Sequence, residues 1–187
     1  MQKFSVLILI LMSAIGAFAQ SKTSQAIEKQ LKTLKADKTL ALVYDEKGDV
    51  SKIYGFSEDF GKEQDKRNAV ESMRFGLAFF FLGRELKTAP AEYTLTFQAG
   101  TKKAKFAEAH ALKFTIDNET LDLGEARYAN KNQGIEYLNF KLSREQLGKL
   151  AKGKTVSMRI GAAELTLSGE QIKMFTDLYA LSNPAVN

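Results

Sequence analysis

Few residues in this chain can carry chemistry: among its 187 residues there is one histidine and neither cysteine nor tryptophan. His110 stands between Ala109 and Ala111, just ahead of an apolar alternating run. A general base needs an orienting partner and a nucleophile or substrate proton within reach, and a lone histidine supplies neither. A zinc site would take its only nitrogen ligand from this one side chain, which argues against one. Carboxylates are the other resource, and Asp117, Glu119, Asp122 and Glu125 fall in one segment. Paired carboxylates run glycoside hydrolysis, and clustered ones hold Ca²⁺. Alternation lets Asp117 and Glu119 share a face but turns Asp122 away from Leu121 and Leu123, and the spacing is not that of an EF-hand. Neither a phosphate-cradling glycine-rich loop nor a Gly-x-Ser-x-Gly elbow occurs. Asp117, Glu119, Asp122, Glu125 and His110 therefore stand as weak binding candidates, and no catalytic residue, metal or cofactor is assigned.

The elements that must position these residues begin behind a leader. Met1 to Ala19 runs from Lys3 through Phe4-Ser5-Val6-Leu7-Ile8-Leu9-Ile10-Leu11-Met12 to Ala17-Phe18-Ala19. Basic, greasy and small-residue parts in that order are the pattern of a secretory signal peptide cleaved near Ala19. Its retention as a membrane anchor is the alternative. Cleavage removes one cation and no acid, leaving residues 20–187 as a single β-rich domain of 168 residues with net charge +4. That length buries roughly 70% of the unfolded surface, enough for a core without staples. With no disulfide available in an oxidising compartment, apolar packing has to supply the stability. Mild basicity mixed with abundant acids is not the footprint of a nucleic-acid binder.

From Ser24 to Ala36, Ile27, Leu31 and Leu34 recur at helical spacing. Thr39–Tyr44 and Val50–Phe56 flank Asp45-Glu46-Lys47-Gly48-Asp49, which is hairpin chemistry. Ser57–Asn68 is charged with one large apolar residue, Phe60, and is expected to be an exposed, mobile loop. Phe75–Leu82 is apolar throughout and fits a strand covered on both faces, or a pocket for an apolar ligand. Tyr93, Leu95 and Phe97 alternate with Thr94, Thr96 and Gln98, as Leu112, Phe114 and Ile116 do with their neighbours. Thr101–Lys105 is expected to be a solvated basic loop, Asp117-Asn118 a tight turn, and Ala126–Gln133 an irregular connection. Leu138, Phe140 and Leu142 share one face, as do Val156, Met158 and Ile160.

Two strand-to-helix junctions echo one another: Leu142-Ser143-Arg144-Glu145-Gln146-Leu147 and Leu167-Ser168-Gly169-Glu170-Gln171-Ile172. In each, the serine hydroxyl can accept from the opening helix turn while the glutamine reaches back to the serine N–H. Gly153 and Asn183-Pro184 are placed to end the two helices. The expected fold is mainly β (α+β): an antiparallel sheet or β-sandwich with an N-terminal helix and two helices in the C-terminal third. A parallel crossover through the helix after Leu142 is an alternative.

The functional expectation is an exported, bacterial-type, non-catalytic extracytoplasmic module, periplasmic or secreted. Its partner would be a protein, an envelope component or a small apolar ligand, with membrane contact only if the leader is retained. The alternatives are a carboxylate-dependent hydrolase or a membrane-tethered envelope protein.

Overall fold

The computed structural model describes residues 22–184 apart from 37 and 133; the leader, residues 1–19, lies outside the described residues. Among the described residues there are four helices, α1 (Lys22–Thr33), α2 (Lys62–Arg67), α3 (Arg144–Lys152) and α4 (Gly169–Leu181). The strands are β1 (Ala41–Asp45), β2 (Val50–Phe56), β3 (Ser72–Leu82), β4 (Glu92–Gly100), β5 (Ala111–Ile116), β6 (Glu119–Glu125), β7 (Arg127–Asn132), β8 (Ile135–Ser143), β9 (Val156–Ile160) and β10 (Ala163–Thr166). They form two antiparallel sheets, a larger one in the order β1-β2-β3-β4-β8-β7 and a smaller one in the order β10-β9-β5-β6. The molecule is mainly β, with the N-terminal helix and the two C-terminal-third helices in the expected places. No described helix is long and apolar enough to cross a membrane.

The period-two rows point as the spacing requires: Tyr93, Leu95 and Phe97, then Leu138, Phe140 and Leu142, then Val156, Met158 and Ile160 are all buried. Phe175 of α4 joins the two sheets, its ring 5.1 Å from Phe75 on β3 and 6.4 Å from Phe114 on β5. Burying such a ring stabilises by about 2–3 kcal/mol through lost apolar hydration. Both helix starts carry complete capping boxes: Ser143 Oγ accepts from Gln146 N at 3.1 Å and Ser168 Oγ from Gln171 N at 3.2 Å. The serine N–H groups donate back at 2.8 and 2.9 Å.

Three expectations change in whole or in part, one alternative is removed, and one expectation is met in a different geometry. α3 leads from β8 in the larger sheet to β9 in the smaller one, so it is a sheet-to-sheet link and no parallel crossover forms. Gly153 closes α3 in an extended conformation, φ −62°, so it ends the helix without the left-handed cap. Residues 127–132 are strand β7, paired with β8.

Ser57–Asn68 is exposed over much of its length, as expected, but Lys62–Arg67 is the helix α2 rather than loop and the segment is tied to the fold by hydrogen bonds. Ser57 N donates to Phe75 O at 2.8 Å and Phe60 N to Met73 O at 2.9 Å, while α2 lies along β10. The Thr101–Lys105 loop is solvated at Lys102, Lys103 and Ala104, as expected, but its ends are tied down. Glu136, fully buried on β8, accepts from Thr101 Oγ1 at 2.8 Å, from Lys105 N and Phe106 N at 2.9 Å, and from the Tyr128 hydroxyl at 3.0 Å. Burial alone would push this carboxyl up, but the four donors outweigh it and hold it below the usual range.

Candidate functional site

All five sequence candidates lie on or beside the smaller sheet. Asp117 and Asn118 form the β5–β6 turn in left-handed conformations, φ 46° and 80°, the geometry a two-residue hairpin requires. The Asp117 carboxylate reaches across to the start of β9, accepting from Thr155 N at 2.8 Å, Thr155 Oγ1 at 3.0 Å and Lys154 N at 3.0 Å. The Lys154 and Thr155 backbone N–H groups lower its carboxyl from the ordinary value. Glu119 joins Asp117 along a cleft of 270 Å³ that also presents Lys149 and Lys152. Asp122 accepts from Gly124 N at 2.8 Å and pairs with Lys113 at 3.0 Å; these two groups, the N–H first, lower its carboxyl.

His110 and Glu125 approach to 3.6 Å. The imidazole Nδ1 lies 2.9 Å from the Phe106 carbonyl, which can only accept, so Nδ1 carries a proton. The ring also stacks on Tyr128 at 5.8 Å. The structure thus brings Asp117 and Glu119 into one cleft and His110 beside Glu125, and leaves Asp122 with Lys113. Among the described residues no group of three His, Cys, Asp or Glu side chains could hold a metal ion.

The outward face of the smaller sheet borders a 600 Å³ cleft with α2 as its far wall, lined by Thr115, Ser157, Arg159, Glu164 and Arg67 among others. Much of its hydrogen-bonding capacity is used internally. Gln64 on α2 and Asn68 at its C-terminal cap, one helical turn apart, present their side-chain amides to β10. Gln64 takes Thr166 N at 2.8 Å and gives to Thr166 O at 3.1 Å. Asn68 takes Glu164 N at 2.9 Å and gives to Glu164 O at 2.8 Å. The two amides stand in for a missing strand.

The outward face of the larger sheet is different. Cross-strand rows place Val43, Lys52 and Phe80 side by side, with Asp45, Val50 and Leu82 in the next row outward. Val43 is 47%, Phe56 45%, Phe80 53% and Leu82 80% exposed. Phe80 and Leu82 are uncovered because β3 outruns β4. Its pairing with β4 ends at Ala78, whereas its pairing with β2 continues to Leu82. The expectation that 75–82 is covered on both faces therefore holds for Phe75 to Phe79 and fails on the outward side at Phe80 and Leu82, while Phe81 still packs partly buried against the core. The ring of Phe56 lies over Gly76, where a Cβ would meet it at 2.7 Å.

Two cations complete this face. The Lys52 ammonium sits 4.3 Å from the Tyr54 ring centroid and 5.4 Å from that of Phe80, and the Arg74 guanidinium 5.0 Å from Phe56. Arg74 also donates to Gln98 Oε1 at 2.8 Å. Neither Lys52 nor Arg74 forms an ion pair with an acid among the described residues. Sequence reasoning missed this surface because an unbroken apolar run has no period to say which side faces out.

No protein-family model matches the chain, and no curated protein is significantly similar to it. Among solved structures, the chain has a weak likeness to a protein of unknown function from Burkholderia pseudomallei K96243. The likeness is at 11% identity and a TM-score of 0.31, over 85% of this chain and 94% of that one.

Proposed function

We propose that the protein is a non-catalytic binding module, exported by the leader at residues 1–19, that engages its partner through the outward face of the larger sheet. The observation that supports this reading is the exposure of Val43, Phe56, Phe80 and Leu82 on three neighbouring strands. Single exposed apolar residues are ordinary, whereas a contiguous group on a sheet face that would otherwise meet water as polar side chains marks an interaction surface. Aromatic rings interleaved with unpaired cations add directional contacts to apolar area. The carboxylates of the smaller sheet serve this reading as scaffold, since Asp117 and Asp122 spend their lone pairs on backbone N–H groups.

Photo-cross-linking in the exporting cell tests the proposal. A cross-linkable residue at position 80 gives a discrete protein or envelope adduct, and one at position 115 on the smaller sheet gives none. Adducts from 115 alone overturn the assignment of the face. Intact mass of the exported chain tests the leader: a chain beginning at Gln20 agrees with export and cleavage, and a retained Met1 places the protein on the membrane.

A further inference from the structure

Each sheet has two edges, and an edge is a row of backbone groups open to another strand unless something guards it. Three of the four carry a guard. β10 is occupied by the amides of Gln64 and Asn68. β6 is broken by a bulge opposite Leu112 and Lys113, with Gly124 at φ +70°, and carries Glu119, Asp122 and Glu125. β7 has an irregularity between Asn130 and Asn132 and carries Arg127 at its start.

The fourth edge is β1, Ala41-Leu42-Val43-Tyr44-Asp45, and it differs on every count. Its register with β2 is unbroken from Ala41 to Asp45. It contains no proline or glycine, and its one charge sits at the turn end. Its residues alternate between exposed and half-buried, so neither face is sealed. It also ends the strand order on the side where Val43, Lys52 and Phe80 lie in one row.

We propose that β1 is a docking edge for an extended, acidic segment of a partner protein, which adds as a further strand of the larger sheet. The proposal rests on the reading of this face as the binding surface and names the chemistry of its occupant. Main-chain hydrogen bonds to β1 supply affinity, and every second side chain of the segment falls on the outward face beside Val43. Apolar side chains there extend the Val43, Phe80 and Leu82 surface. Carboxylates there lie within reach of Lys52, whose ammonium has aromatic rings but no acid beside it. Charge selects a partner segment over a second copy. Antiparallel pairing of two β1 strands about Val43 would set the two Lys52 cations on one strip of an exported chain already at +4, and would bring a single carboxylate to each, Asp45 of one copy opposite Ala41 of the other, where an alternating acidic segment brings one at every second residue.

The test uses a blocked peptide of about eight residues alternating valine and glutamate, with a valine–lysine control and a version N-methylated at alternate residues. The valine–glutamate peptide binds the exported chain about tenfold more tightly than the lysine control, and N-methylation costs it a similar factor. On binding, amide exchange slows at alternate residues within Ala41–Asp45 and is unchanged in β7. Lys52→Glu, a surface change that leaves the melting temperature in place, reverses the preference between the two charged peptides. Failure to saturate by about 1 mM, or equal binding by the N-methylated peptide, overturns the proposal. Concentration-dependent dimerisation that protects β1 assigns the edge to a second copy and overturns it as well. So does binding to phosphatidylglycerol vesicles through Phe80 and Leu82 with no peptide effect at β1. Each of these leaves position-80 cross-linking intact, so loss of the edge and loss of the face are told apart.

Discussion

The outward faces of the two sheets solve the same problem in opposite ways. The smaller sheet meets water with Lys113, Thr115, Ser157 and Arg159, and its charged groups are answered inside the molecule: Lys113 by Asp122 at 3.0 Å, Arg159 by the Gly161 carbonyl at 3.2 Å. Its β10 edge is closed by two side-chain amides. The larger sheet shows Val43, Phe56, Phe80 and Leu82 to solvent, and Lys52 and Arg74 form no ion pair with an acid among the described residues. Exposed carboxylates, the usual first suspects for function, can be scaffold when the backbone consumes them. Exposed apolar area can instead arise where a strand outruns its neighbour, as β3 does past β4.

Four substitutions break or sharpen this contrast. Phe175→Ala removes the ring that touches both sheets, so it loosens both faces together. It is expected to cost about 3–5 kcal/mol through lost transfer free energy and the cavity left behind, read from urea unfolding. Glu136→Gln puts an amide where four donors converge, at an expected cost of about 2–3 kcal/mol at neutral pH. The folded carboxyl lies below its ordinary 4.5, so the wild-type contribution is complete above that value and is lost as pH falls through the lower folded pKa. The gap between wild type and variant therefore narrows in acid.

Asn68→Ala unguards β10 and leaves Glu164 N and O without partners. It is expected to cost about 1–2 kcal/mol and to raise self-association measured by sedimentation, which gives the smaller sheet an open edge like that of β1. Asp65 offers the smallest effect and the opposite sign. Its side chain is buried in α2 with Oδ1 unpartnered, and burial, then the nearby Asp59 charge, push its carboxyl above the ordinary 3.8. Ionisation therefore costs stability as pH rises through the raised folded value, and no cost remains below 3.8. Asp65→Asn is expected to gain about 1 kcal/mol at neutral pH and nothing in acid, read from melting temperatures across that range.

Much of the fold is legible in the letters because it is written as period. The alternating rows of β4, β8 and β9, the Asp117-Asn118 turn and the two serine caps each follow from local physics that tertiary context does not override. What escaped depends on pairs distant in sequence. Glu136 shares the parity of Leu138 and Phe140, so alternation carried two residues further places it inside. Its donors, however, come from about thirty residues earlier in the chain and from Tyr128. Gln64 and Asn68 sit one helical turn apart in a segment that reads as loop, and only the position of β10 gives that spacing meaning. The two capping glutamines look alike in sequence, yet Gln171 also donates to Glu58 O at 3.1 Å, a contact with no counterpart at Gln146. The candidate acids were correctly placed around a hairpin, but the N–H groups of Lys154, Thr155 and Gly124 that Asp117 and Asp122 accept from are backbone groups, to which a search for side-chain motifs is blind.

The contrast between the faces is tested most directly by carbene footprinting of the purified protein and of the same protein in the cell that makes it. Phe56, Phe80 and Leu82 are expected to label readily in the purified chain and to be protected in the cell, while Thr115 and Ser157 label equally in both. Unchanged labelling at Phe80 together with protection at Thr115 and Ser157 would move the binding surface to the smaller sheet and contradict the account.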